Sequence, residues 1–141
     1  MRWITEAVFT VFGEYGSWLP GYLGHPGVWT FVYEEHEQAN GFAMLGVLDP
    51  EDDGTRAADL LAIAVRPGCQ DRGIGRSLLA RVVDKAMTLK GILGVHEVRL
   101  TVADTNERAR HLFGEFGFEP IPGDHGLYEK GQRALRLRLR L

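Results

Sequence analysis

Hydrophobic and polar positions change period several times along the chain, and each change marks an element. Trp3, Ala7, Val8, Val11 and Phe12 recur at helical spacing and lead into a glycine- and aromatic-rich segment, Gly13 to Gly27. Val28 to Tyr33 alternates and is rich in β-formers, which predicts a strand; Phe42 to Val47 predicts its hairpin partner across a polar turn at Gln38 to Gly41. After the acidic turn Asp49 to Thr55, the nearly continuous apolar run Ala57 to Val65 predicts a central strand buried on both faces. Ile74, Leu78, Val82 and Ala86 then repeat every four residues, opposite Arg81, Asp84, Lys85 and Thr88. This predicts an amphipathic helix stopped by Gly91. Val98, Leu100 and Val102 alternate as another strand. Asp104 and Glu107 have capping-box spacing before a short helix with Ala109, Leu112, Phe113 and Phe116 on one face, closed by Gly117. Leu135, Leu137, Leu139 and Leu141 alternate with Arg136, Arg138 and Arg140, a period of two that only a strand fits.

The sum is a mixed α/β (α+β) sheet with helices packed on it, expected as a single domain over residues 1–141. Composition fits an ordinary globular domain, 45% apolar and 25% charged. No apolar run approaches the length of a bilayer span and nothing resembles a secretory signal, so a cytoplasmic protein without membrane contact is expected. Cys69 is the single cysteine, which excludes an internal disulfide and a cysteine-cluster metal site. The five histidines show no paired ligand spacing, and no metal is expected. Charge is unevenly placed: residues 1–59 balance at −8 and residues 60–141 at +5. A basic half suits a polyanionic ligand and an acidic half a cationic one; two differently solvated faces fit the same numbers.

The chemistry concentrates between the apolar strand and the amphipathic helix, in Val65-Arg66-Pro67-Gly68-Cys69-Gln70-Asp71-Arg72-Gly73-Ile74-Gly75-Arg76-Ser77. A helix start offers unpaired N–H groups and the positive end of the dipole. Gly73 and Gly75 let an anion approach the backbone, and Arg72 and Arg76 can add guanidinium contacts. A strand–helix turn using glycine only for packing fits the same residues. The Walker pattern is absent, and Leu78 breaks the dinucleotide fingerprint.

The segment resembles instead the GNAT superfamily of N-acetyltransferases. Its Gln/Arg-x-x-Gly-x-Gly/Ala signature is met by Gln70, Gly73 and Gly75, after a Val-x-Pro strand end met by Val65-Arg66-Pro67. Downstream, Asn106, Ala109, Leu112-Phe113 and Gly117-Phe118 match the family's second motif. The resemblance covers roughly Val28 to Leu141. It implies a GNAT-like central twisted sheet of about six strands with helices on both faces. The family opens with a strand where this chain begins with helix-like sequence, so that strand is expected to be missing or the start given to be late.

By this resemblance the cofactor is acetyl-coenzyme A, with no metal. Gln70, Asp71, Arg72, Gly73, Ile74, Gly75, Arg76 and Ser77 would hold its pyrophosphate. Ile63, Ala64 and Val65 would pair with the pantetheine arm, Asn106 would contact its thiol end, and Phe113 would pack beside the thioester. The implied reaction is direct attack of an amine on the thioester, which needs a base for the amine proton. Asp59 is the candidate, on the strand face shared with Leu61, Ile63 and Val65; a solvated strand-start aspartate beside Arg56 is the alternative. Many relatives carry tyrosine at the position of Phe113, which has no proton to give a leaving thiolate. Tyr128 or water is left as the acid, with a surface or strand-pairing role the alternative for Tyr128. Cys69 lacks a neighbouring His–Asp pair and is read as packing.

An N-acetyltransferase acting on a primary amine of a small molecule or peptide is therefore the expected function. A non-catalytic acyl-coenzyme A-binding or regulatory module is the alternative, and a binder of other nucleotides a third reading. The acceptor amine is unidentified; Tyr15, Trp18, Leu19, Tyr22, Leu23 and Trp29 are candidates for lining its pocket, with core packing the stronger reading for most of them. Family habit implies a homodimer. Nucleic acid is not expected as a partner, because the arginine alternation near the C-terminus is a short strand face without stacking aromatics.

Overall fold

The computed structural model describes residues 27–128 and 131–141. The helical spacing over Trp3 to Phe12 and the aromatic positions Tyr15, Trp18, Leu19, Tyr22 and Leu23 lie outside the described residues. The described elements are β1 (Val28–Glu35), β2 (Gln38–Val47), β3 (Arg56–Val65), α1 (Ile74–Leu93), β4 (Val95–Ala103), α2 (Glu107–Glu115), β5 (Glu119–Pro120) and β6 (Ala134–Arg140). The strands form one open six-stranded sheet in the order β1-β2-β3-β4-β6-β5. β3 and β4 run parallel, which needs a crossover, here α1. The pairs β1–β2, β4–β6 and β5–β6 are antiparallel. This is the mixed sheet that the alternation of periods predicts, with the six strands that the family resemblance implies; the two-residue β5 had no signal in the periods.

Contacts group the chain into two compact units, Met1–Val47 with Leu61–Lys85, and Leu48–Leu60 with Ala86–Leu141. In the first, Phe42, Met44, Leu45, Ile74, Leu79 and Val82 are fully buried, each such side chain contributing about 1.5–3 kcal/mol of transfer free energy. The β1–β2 turn is tighter than expected. His36 (φ 51) and Glu37 (φ 66) form it alone, with Glu35 opposite Gln38, so Gln38 to Gly41 belong to β2 and not to the turn. A two-residue hairpin turn needs left-handed residues, and here neither is the glycine that usually advertises one. Gly41 serves packing instead: a Cβ there would lie 2.9 Å from Ile74 Cγ2, 3.0 Å from Leu78 Cδ1 and 3.1 Å from the Ala64 carbonyl.

In the second unit, Ala58, Leu60, Val95, Val98, Leu100, Phe113 and Leu137 form the buried set. Two helix ends differ from expectation. Gly91 lies inside α1, which runs to Leu93 and stops at Gly94, whose φ is 71 and whose N–H donates to the Lys90 carbonyl. Left-handed backbone ends the helix, so the glycine that stops it is the one that adopts it. At α2 the cap is Asn106, whose side chain accepts from the Ala109 N–H at 3.2 Å. Asp104 does not cap, because its N–H donates to the Arg133 carbonyl and the chain turns once more, Asn106 N–H to Ala103 carbonyl, before the helix begins.

Candidate active site

β3 alternates in burial. Ala58, Leu60 and Ala62 are buried, whereas Asp59, Leu61, Ile63 and Val65 are half-buried. The expectation of a strand buried on both faces is corrected to one buried face and one partly open face that carries Asp59. Its ladder with β4 ends at Leu60 opposite Leu100, and Ile63, Ala64 and Val65 lie beyond that end, all half-buried.

The chain leaves β3 through a turn closed by Cys69 N–H on the Arg66 carbonyl at 2.9 Å. Gly68 (φ 90), Asp71 (φ 63) and Gly73 (φ 82) then take left-handed backbone within six residues. Ser77 N–H donates to the Gly73 carbonyl, so the amides ahead of Ser77 are those that helix geometry leaves without a partner inside the helix. No acidic residue lies in the first turn of α1. Nothing lies within 4 Å of where a Cβ would stand at Gly68 or Gly73. A left-handed approach to a helix start, open at Gly68 and Gly73 and free of carboxylates in the first turn, fits a diphosphate.

The arginines behave individually. Arg72, expected on the phosphates, has its Nη2 on both oxygens of Glu35, at 2.8 and 2.7 Å. Arg66 reaches back to the Ala39 carbonyl, its Nη2 at 3.1 Å, while its backbone N–H donates to the Asn40 carbonyl. Asn40 Nδ2 donates to Glu35 Oε1 at 3.0 Å. The hydrogen bond from Asn40, then Arg72, holds the Glu35 carboxyl below the ordinary carboxylate range against some desolvation. Glu35 and Asn40 had no signal in the sequence, since nothing there places a strand end beside a loop 37 positions away.

In the second unit, Asp59 lies 3.6 Å from Arg136 Nη2 with its side chain 27% exposed. Arg136, not Arg56, is its partner, so the solvated reading beside Arg56 is replaced by a half-buried ion pair. Burial raises the Asp59 carboxyl, and the cations Arg136 and Arg99 only partly offset it. A carboxylate pushed up in this way is a better proton acceptor than an ordinary aspartate. Arg138 and Arg140 face Glu119, at 3.6 and 3.3 Å; the Nε atoms of Arg136 and Arg138 are buried without a hydrogen bond. Phe113 is 3% exposed and packs tilted on Phe118 at 5.6 Å. Tyr128 is 40% exposed, its phenol raised by partial burial.

The family model described as the acetyltransferase (GNAT) family matches residues 2–118. A mycothiol acetyltransferase of Beutenbergia cavernae is 33% identical over 86 residues, which are 61% of this chain and 27% of that protein. The chain thus spans about a quarter of the length of the curated relatives it matches. Among solved structures, a ribosomal-protein-alanine N-acetyltransferase of Brucella melitensis superposes with TM-score 0.80 at 20% identity, covering 100% of this chain and 96% of that one. NAA60 of Arabidopsis thaliana in complex with acetyl-CoA superposes with TM-score 0.72 at 14% identity, covering 99% and 92%. With most of its length matched by that family model and its sheet superposing on such structures, the chain belongs to the acetyltransferase (GNAT) family.

Proposed function

We propose that this chain binds acetyl-coenzyme A and transfers the acetyl group to a primary amine of a small molecule or peptide. The observation that carries the reading is the loop from Val65 to Ser77, whose left-handed backbone at Gly68, Asp71 and Gly73 leads into the start of α1, with open space at Gly68 and Gly73. The amides of Gln70 to Arg76, with Ser77 beside them, would hold the pyrophosphate, and the edge of Ile63, Ala64 and Val65 the pantetheine arm. Bound acetyl-coenzyme A supplies the thioester that the amine attacks. Asp59 takes the amine proton, its basicity raised by burial. Asn106 caps α2 through its side-chain oxygen, and its amide nitrogen is assigned to the cofactor's thiol end. Tyr128 is the side chain available to return a proton to the thiolate.

The relatives' names divide between mycothiol and a ribosomal protein's alanine, so the acceptor test spans small amines and peptide N-termini. Calorimetry with coenzyme A, followed by thiol release from acetyl-coenzyme A over such a panel, tests the proposal. Saturable binding with amine-dependent turnover is expected. Absence of coenzyme A binding overturns it. Binding without turnover on any amine favours a non-catalytic acyl-coenzyme A module, the reading that the buried, hydroxyl-free Phe113 supports.

A further inference from the structure

We propose that Glu35, held by Asn40, is a positioning residue that clasps the loop through Arg72, and that Arg72 serves the cofactor through Glu35 and not by touching the phosphates. The proposal rests on the reading of Val65 to Ser77 as the pyrophosphate loop.

The loop needs such a clasp. Three left-handed residues lie within six positions, and one of them, Asp71, has a Cβ. Left-handed backbone costs a non-glycine residue about 1–2 kcal/mol, so it persists only where the surroundings hold it. Two ties to the β1–β2 hairpin do so. At the start of the loop, Arg66 donates from its backbone to the Asn40 carbonyl and from its guanidinium to the Ala39 carbonyl. Near its end, one step before Gly73, Arg72 donates to both oxygens of Glu35. The strained stretch is thus tied to one hairpin just before it begins and again within it, between Asp71 and Gly73.

The receiving end of the clasp is itself fixed. Glu35 is the last residue of β1, next to the two-residue turn and just after the register shift at Tyr33/Glu34. A bulge and a turn with both residues left-handed leave that strand end little freedom. Asn40, 6% exposed, donates to the same Oε1 that Arg72 uses, so the carboxylate is oriented before Arg72 arrives. Arg72 would have to surrender a charge-assisted contact at 2.7 Å to reach a phosphate.

Because the ion pair is partly exposed, at 48% and 27%, its contribution to global stability is small, and its effect lies in loop geometry. The test is a double-mutant cycle, Glu35→Gln, Arg72→Gln and both together. It reads the coenzyme A dissociation constant by calorimetry, thermal unfolding, and amide hydrogen exchange of Cys69 to Gly75 without cofactor. The clasp predicts that each single change weakens binding by roughly three- to tenfold, that the double variant is no weaker than the worse single one, and that loop exchange accelerates in all three with little change in Tm. Direct phosphate contact by Arg72 predicts that Glu35→Gln leaves affinity unchanged or improves it while Arg72→Gln weakens it; that result, or additive losses, overturns the clasp. If the unaltered protein binds no coenzyme A, the loop reading fails and the clasp falls with it. Normal binding by Glu35→Gln alone fails the clasp and leaves the loop reading standing.

Discussion

Asp59 carries opposite demands in one carboxyl group. Its folded pKa lies above the ordinary 3.8 because desolvation outweighs Arg136 and Arg99. The folded state therefore binds this proton more tightly than the unfolded chain does. The contribution to stability is full below the unfolded value and is lost as pH rises through the folded one. At neutral pH the ionised group is a cost, so Asp59→Asn is expected to raise Tm. The same change is expected to lower kcat by about a hundredfold or more if Asp59 is the base. A variant more stable yet nearly inactive separates the catalytic reading from a structural ion pair, whose loss would lower Tm. Arg136→Gln removes the nearer cation that opposes the shift. It is expected to move the acidic limb of the kcat/KM profile to higher pH, measured over a pH series with saturating acetyl-coenzyme A.

At the scale of elements, ends were harder to read than middles. Periodicity reveals a strand or helix because many side chains vote, whereas an end depends on one or two backbone angles. Gly91 and Gly94 are equally visible in the sequence, but only Gly94 takes left-handed backbone. Asp104 and Asn106 are both good caps in isolation; the bond from Asp104 N–H to the Arg133 carbonyl decides between them, and it joins residues 29 apart. Asn106→Ala should cost about 1 kcal/mol of stability through the lost cap, seen by denaturant unfolding, and should raise the KM for acetyl-coenzyme A if its amide also touches the cofactor. Gly73→Ala meets no atom within 4 Å, so its effect is confined to the backbone at φ 82. It should cost about 1–2 kcal/mol and weaken coenzyme A binding measurably by calorimetry.

Over the whole molecule, the order of the longer strands and helices was legible because each has its own period, and the strand-to-helix turn from Gly68 to Gly73 was legible because glycines cluster where the period changes. The ties that shape the site were not. Glu35 meets Arg72 and Asp59 meets Arg136 across 37 and 77 positions, and no local pattern encodes such meetings. The charge balance, −8 before residue 60 and +5 after it, reads differently once folded. Arg72, Arg99 and Arg136 stand beside Glu35, Glu51 and Asp59, so three of the five surplus positive charges are met by carboxylates from before residue 60. Long-range steering of a polyanion should be weak. Stopped-flow association of coenzyme A is expected to slow only a few-fold between low and physiological salt.

The bonds joining the loop to the β1–β2 hairpin also limit how this chain can be recombined with its relatives. Residues 65–77 look like a portable cassette, a contiguous stretch with its own signature. Their shape is nevertheless lodged in a different stretch of chain, at Glu35, Ala39 and Asn40. A chimera that imports the loop alone brings the signature without its anchorage; the β1–β2 hairpin has to come with it. Within a lineage, the two stretches are expected to change together or not at all.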